Sequence, residues 1–316
     1  MQNQHPADVI LRSSEKESFY SWKIFLSMSS PVFSDMFTLP QPDTVNEEDV
    51  CDDEQVPVID LEEDSRTLGH ILSLCHPPSC VGTRFQLNSL PELRNVLDAT
   101  EKYDMGNALR MALEELSNPS LLRDDSLGIY ALACQHACHE AARLAAKHTL
   151  TLPCLVPQYV PALERIHAGH LCRLFLYREA CATAVCSLAA DHTWVVYTQY
   201  TSLFRCDQSE TDDKLEWTAV RNPPSRKYPD GRVEHVSVHK WWMEYMKRSE
   251  YALQRWPHSD AVKDDRLVDD ALHAISTLKC EGCQAFQVSQ TFQSFMRIFA
   301  EKIDRCIAEV EIVLGF

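Results

Sequence analysis

Between Asp8 and Phe37 the spacing of apolar and polar positions changes from a strand period to a helical one. Val9 and Leu11 alternate with Asp8, Ile10 and Arg12 in a β-branched run, the charged Ser13-Ser14-Glu15-Lys16-Glu17 interrupts it, and Phe19 and Tyr20 restart an apolar segment. That arrangement predicts a hairpin. From Trp22 onward, Trp22, Phe25, Leu26 and Ser29 share one helical face. Pro31 suits the first turn of a second helix, whose buried stripe is Val32, Phe33, Met36 and Phe37. The predicted order is strand, strand, helix, helix.

Farther along, Val56, Val58, Ile59 and Leu61 read as a third strand, and the segment after Asp64 presents Leu68, Ile71, Leu72 and Leu74 at helical spacing. Cys75-His76-Pro77-Pro78-Ser79-Cys80 is loop by its prolines. Ser89-Leu90-Pro91-Glu92 forms a capping box with proline inside the first turn, and it opens a helix with Leu93, Val96, Leu97 and Thr100 on one face. A further helix from Asn107 to Leu116 repeats the pattern with Leu109, Leu113 and Leu116.

The run Phe19-x-x-Trp22-Lys23-x-x-Leu26-x-x-x-Ser30-Pro31-Val32-Phe33-x-x-Met36-Phe37 resembles the signature of the BTB (or POZ) domain, in which a β-hairpin feeds two short helices. The stretch from Leu90 to Leu113 resembles that family's closing helix pair, so the likeness covers about Asp8 to Leu116. There are two departures. The family usually has His where this chain has Trp22, and a Tyr-Thr-Gly run where this chain has the loop from Cys75 to Cys80. The resemblance implies an α+β domain, a small sheet with helices, whose work is protein–protein interaction.

Beyond Pro119 the pattern is almost wholly helical. Leu127, Tyr130, Ala131, Cys134, Ala137 and Cys138 give one face, and Ala141, Ala142, Leu144, Ala145 and His148 give another. Pro161 to Glu164, followed by Leu171, Leu174, Phe175, Arg178, Cys181 and Val185, builds a further helical segment. This block resembles the helical extension that follows many BTB domains, as in the BTB proteins of mushroom-forming (basidiomycete) fungi. Trp194 to Tyr197 reads as a strand or as more helix, and Asp207 to Arg232 is polar and turn-rich. Val238, Trp241, Trp242, Tyr245 and Met246 then form one stripe; Phe292, Phe295, Met296, Phe299, Ile303, Cys306, Ile307 and Val310 form a longer one. The expected division is a BTB/POZ domain over 1–117, a helical extension over 118–190, and a helical C-terminal region over 191–316 with a polar loop near 207–232.

Composition narrows the function classes. At 45% hydrophobic and 24% charged residues the chain is ordinary globular material. A net charge of −16 argues against nucleic acid or an anionic membrane as partner, because both require clustered cations. Thirteen cysteines accompany no signal peptide, no Asn-x-Ser/Thr sequon and no apolar run near the ~18 residues of a membrane span. An intracellular chain, cytoplasmic or nuclear, with reduced thiols is expected, and Cys134, Cys138, Cys172 and Cys181 read as small core residues.

Motifs for catalysis are weak. Eight glycines leave no Gly-x-Gly-x-x-Gly and no phosphate loop, and there is no Gly-x-Ser-x-Gly elbow. His139-Glu140-Ala141-Ala142-Arg143 misses the zinc-protease helix, since Arg143 stands where a second metal-binding His belongs. Cys280-Glu281-Gly282-Cys283 supplies half a zinc site, which Cys206 or His273 would have to complete, so Cys280 and Cys283 are the only metal candidates. His136, His139, His148, His167 and His170 read as surface or capping residues. No catalytic residue and no cofactor is expected.

Between Asp43 and Asp64 lie eleven carboxylates and no Lys or Arg, and the part before Val56 has no apolar period, as in a long solvated loop. In BTB adaptors a hydrophobic residue, any residue and Glu in the loop after the second helix insert into a cullin. Val45-Asn46-Glu47 stands at that position, which names Val45 and Glu47 as partner-binding residues. The expected function is a BTB-type protein–protein interaction module, read first as a substrate adaptor of a cullin-based ubiquitin ligase. The alternative is a non-enzymatic self-associating scaffold. Protein partners are expected, the chain itself and a cullin among them, with neither nucleic acid nor membrane.

Overall fold

The computed structural model describes residues 7–39, 56–77, 87–152, 159–195, 225–227, 231–235, 239–277 and 285–315. It divides into two compact units, the first made of residues 1–145 and 160–166, the second of 146–159 and 167–316. The architecture is a small sheet with helices followed by a mostly helical remainder, as expected.

The first unit is built on β1 (Val9–Arg12), which pairs antiparallel with β2 (Ser18–Ser21) and parallel with β3 (Val58–Asp60), giving the order β2-β1-β3. Because β1 is the central strand, Val9, Ile10 and Leu11 are all buried, and the one-face alternation expected of it does not hold. Val9 and Leu11 join the main core, whereas Ile10 lies on the other face with Tyr20 and Val58 beside it in register. The hairpin turn places Lys16 at φ 66, and Ser13 Oγ closes it by accepting from Glu17 N at 3.1 Å. Arg12 donates from two nitrogens to Asp60, at 2.6 and 2.9 Å, and so holds the Asp60 carboxyl at a pKa of about 2.

α1 (Lys23–Ser29) and α2 (Pro31–Thr38) follow as the spacing predicts. Ser30 sets the break between them. Its extended backbone ends α1, its Oγ accepts from Phe33 N at 3.0 Å to cap α2, and its hydroxyl donates to Tyr103 O at 2.5 Å. α3 (Ser65–Cys75) is capped by Asp64, and α4 (Leu90–Lys102) by Ser89. The capping box at α4 closes one residue early: Glu92 accepts from Asn88 N at 3.0 Å instead of from the cap residue. In α5 (Gly106–Glu114) the buried positions are Ala108 and Ala112; Leu109 and Leu113 flank that line half-buried, so small side chains make the close contact.

α6 (Pro119–Asp124) and α7 (Ser126–Gln135) complete this unit together with the start of α8 (His139–Thr149). α7 is buried at every position from Ser126 to Cys134, so it has no single inward face. It ends before Ala137, which takes φ 53 and is exposed, so Ala137 and Cys138 do not continue the predicted helix face. Gly128 is required by a close approach: a Cβ there would lie 2.2 Å from Leu90 Cδ2 and 2.5 Å from Asp125 Oδ2. On α8 the buried positions are Ala141, Ala142, Ala145, Ala146 and Thr149, while Leu144 is exposed, against expectation.

The second unit contains α9 (Ala168–Ala190), α10 (Lys240–Arg255), α11 (Asp265–Ser276) and α12 (Ala285–Ala308). Its core is aromatic. Trp241, Trp242 and Tyr245 on α10 meet Phe292 and Phe295 on α12, with Tyr245 and Phe292 edge to face at 4.9 Å. Trp194 belongs neither to a strand nor to a continued helix: after α9 ends at Ala190 it folds back to stack on Phe295 and Phe299, and its indole N–H donates to Leu188 O at 3.0 Å. α9 buries Leu174, Tyr177, Cys181, Val185 and Ala189; Phe175, one position off that line, is exposed. Arg178 donates to Thr149 O, Leu152 O and Arg255 O at 3.1, 2.8 and 2.9 Å and thereby satisfies carbonyls at the ends of α8 and α10. β4 (Ser225–Lys227), inside the stretch read as polar and turn-rich, pairs antiparallel with β5 (Val233–His235) just beyond its end, with Gly231 between them at φ 84.

Candidate interaction surface

α1 has two apolar faces. Leu26 points into the first unit's core with Phe25 partly buried beside it, while Ile24 and Met28, one turn apart on the outer side, are 62% and 80% exposed. Lys23 is the only charged residue of the helix. On edge strand β2, Tyr20 also faces out, at 61%. Sequence reasoning took the inward face of this helix and passed over the outer one. The signal was present, since Ile24 and Met28 are apolar at i and i+4 and lie off the stripe that serves the core.

Behind this face the two departures from the BTB pattern meet. Trp22 contacts His76 edge to face at 5.6 Å, Phe25 contacts both rings at 5.9 and 5.4 Å, and His76 Nε2 lies 3.0 Å from Ser21 Oγ. Partial burial lowers the His76 pKa below 6.5, opposed in part by a hydrogen bond of the imidazole with the Leu72 backbone. Close by in sequence, Cys75 is the last residue of α3, and burial pushes its thiol up to about 11, so it is an inert core group. Glu63 binds Tyr103 Oη at 2.6 Å and Lys102 Nζ at 2.8 Å. Burial raises its pKa, and those two hydrogen bonds outweigh that, leaving it lowered. Nothing in this group resembles an acid–base pair facing a cleft; it ties α4 to the segment that leads into α3.

The other predicted residues are scattered. Val45, Glu47, Cys206, Cys280 and Cys283 lie outside the described residues. His139 and Glu140 are exposed, and Glu140 pairs with Arg143 at 3.1 Å, so the near-miss protease helix is a solvated face. Of the two roles expected for it, surface or capping, His136 has the second: it is the C-cap residue of α7, with its side chain 4% exposed and Nδ1 2.8 Å from Glu101. Cys134 and Cys181 are buried as expected, Cys138 is half-buried, and Cys172 is exposed on the outer side of α9. Among the described residues no three His, Cys, Asp or Glu side chains could together hold a metal ion, and no helix is long and apolar enough to cross a membrane.

A hairpin feeding two helices, a third strand parallel to the first, and closing helices at α4 and α5 form one arrangement. Residues 1–120 match the BTB/POZ domain. That domain is a protein-interaction module, so the BTB/POZ unit supplies surfaces for other proteins. No curated protein matches the chain. The match ends at residue 120, within α6.

Proposed function

We propose that this chain is a non-enzymatic protein-interaction module of BTB type that pairs with a second copy of itself through the outer face of α1. The exposure of Ile24 and Met28 carries the reading. A two-fold contact brings the same patch of both copies together, so a self-pairing face is favoured where few charges would meet their like across the axis. In a chain of net charge −16, an apolar helix face with Lys23 as its sole charge meets that condition. The resemblance adds that BTB domains often dimerise through their first helices. Light scattering on the full chain over a concentration series should show a dimer that dissociates in Ile24→Asp/Met28→Asp. Both side chains are exposed, so the variant should keep the fold. A wild type that stays monomeric at about 100 μM, weaker than most specific protein pairs, would refute the reading.

A role as cullin adaptor is compatible with this and is supported by Val45-Asn46-Glu47, an apolar residue within an acidic tract of the sequence. Titration calorimetry with a purified cullin should give saturable binding, weakened by about 1–3 kcal/mol in Val45→Asp because a charge enters an apolar pocket. Equal binding by the variant would leave the self-associating scaffold as the function. An intracellular setting fits the seven cysteines that are free among the described residues.

A further inference from the structure

The second unit contains a groove of about 650 Å³ along α10 and α11. On α10, Lys247, Tyr251 and Arg255 recur every fourth residue along its wall, and Arg266 in the first turn of α11 completes a set of exposed side chains. Among the described residues, the side chains of Lys247, Arg255 and Arg266 make no hydrogen bond or ion pair. The carboxylates of the groove have partners within its own lining: Glu244 and Asp270 both bind Arg248, and Asp264 caps α11 by accepting from Arg266 N at 3.1 Å. Lys247, Arg255 and Arg266 thus stand without a direct ion pair in a groove that carries four cations against three carboxylates, a net positive lining in a chain whose net charge is −16.

Their spacing selects the kind of ligand. Lys247 and Arg255 are eight residues apart on one helix, about 12 Å along its axis, which is too far for a single phosphate or carboxylate to bridge. An extended peptide of about four residues spans that distance. Between the cations the groove offers Tyr251, 64% exposed, together with Leu267 and the partly buried Trp256, which are seats for apolar side chains. A duplex nucleic acid presents a continuous row of phosphates and needs an extended cationic face, whereas the cations here are confined to one groove of a chain whose net charge is −16.

We propose that the α10–α11 groove docks an acidic peptide segment of a partner protein, one that carries apolar residues between its carboxylates. Charge complementarity draws the segment in and fixes its register, and the aromatic seats supply desolvated contact. This site is independent of the α1 face.

The test is fluorescence anisotropy on the full chain with a fluorescein-labelled peptide Asp-Glu-Leu-Phe-Asp-Glu. Saturable binding with Kd on the order of 10–100 μM is expected, weakening as salt is raised. Lys247→Glu/Arg255→Glu should weaken it at least about tenfold, and Arg266→Glu on α11 about threefold, an independent arm should the double variant fail to fold. Arg297→Glu/Arg305→Glu on α12 makes the same charge change outside the groove and should leave binding intact. The proposal is overturned by no saturation up to about 1 mM, by equal loss in the α12 variant, by equal binding of the Asn/Gln version of the peptide, or by duplex DNA binding tighter than the peptide.

Discussion

Replacing Phe33 by Ala is the sharpest test of the first unit's core. Phe33 is 1% exposed, its ring stacks on Tyr103 at 4.7 Å and on Phe37 at 6.0 Å, and its backbone N–H is the donor that Ser30 caps. Removing the ring strips on the order of 120 Å² of buried apolar surface, about 3 kcal/mol at about 25 cal/mol per Å². The stacked pair with Tyr103 adds about 0.5–1.5 kcal/mol, which gives a loss of about 4 kcal/mol, within the ~3–5 kcal/mol usual for Phe→Ala. Because the chain has two units, a single global transition is a poor reporter. Hydrogen exchange separates them: at about 1.4 kcal/mol per tenfold, α4 amides should lose roughly 10²–10³ in protection while those of α12 keep theirs. Phe33→Leu, which keeps most of the volume, should cost about 1 kcal/mol. A loss below about 1 kcal/mol in Phe33→Ala would mean that α2 does not present this residue to the core.

Other expectations follow from the same packing. His76 has its pKa lowered by burial, so the unfolded chain binds the proton more readily; stability is intact above about pH 6.5 and falls as pH drops through the folded value. His76→Phe should flatten the urea midpoint between about pH 7 and 5, and an unchanged slope would assign it to other groups. A double-mutant cycle on Trp22 and His76, read from urea midpoints, should give a coupling of about 0.5–1.5 kcal/mol, and additivity would show that their rings do not interact. Arg178→Met should cost the second unit about 2–4 kcal/mol because three carbonyls lose a charged donor, and Arg178→Lys should restore only part of it; full protection of α10 amides in the Met variant would rule the clamp out. Chelator-free protein should carry no stoichiometric zinc by elemental analysis, since Cys280 and Cys283 supply only two of four ligands; about one zinc per chain, lost in Cys283→Ser, would establish the site.

The elements legible in sequence were those whose caps and periods agree. Ser30-Pro31, Asp64 and Ser89-Leu90-Pro91-Glu92 mark helix starts by side-chain chemistry local to the chain, and each helix begins there. What was missed depends on neighbours that the local pattern does not contain. Ile10 is buried because a parallel third strand arrives from residues 58–60, and α7 is buried all round because other elements cover every side of it. Leu144 and Phe175 lie one position off their buried lines, and a helix of mostly small and apolar residues does not reveal which line will face inward. The surface of α1 was hidden for a related reason: an apolar pair outside the core stripe looks like more core until burial distinguishes the two.

The departures at Trp22 and at His76 looked like separate irregularities in sequence, since more than fifty positions divide them. In the fold they form a single cluster: the Trp22 ring takes a T-shaped contact from His76, Phe25 closes the group, and Ser21 engages the imidazole. Trp22 is the N-cap residue of α1 without a side-chain cap bond of its own, and His76 is the C-cap residue of α3, so the cluster joins the ends of two helices. Each substitution alone would leave the other ring with Phe25 as its remaining aromatic neighbour, loosening the packing at the base of the helix that carries Ile24 and Met28. The orientation of that outward face is therefore set in part by residues in which this chain differs from the BTB pattern, so its choice of partner need not follow that of other BTB domains.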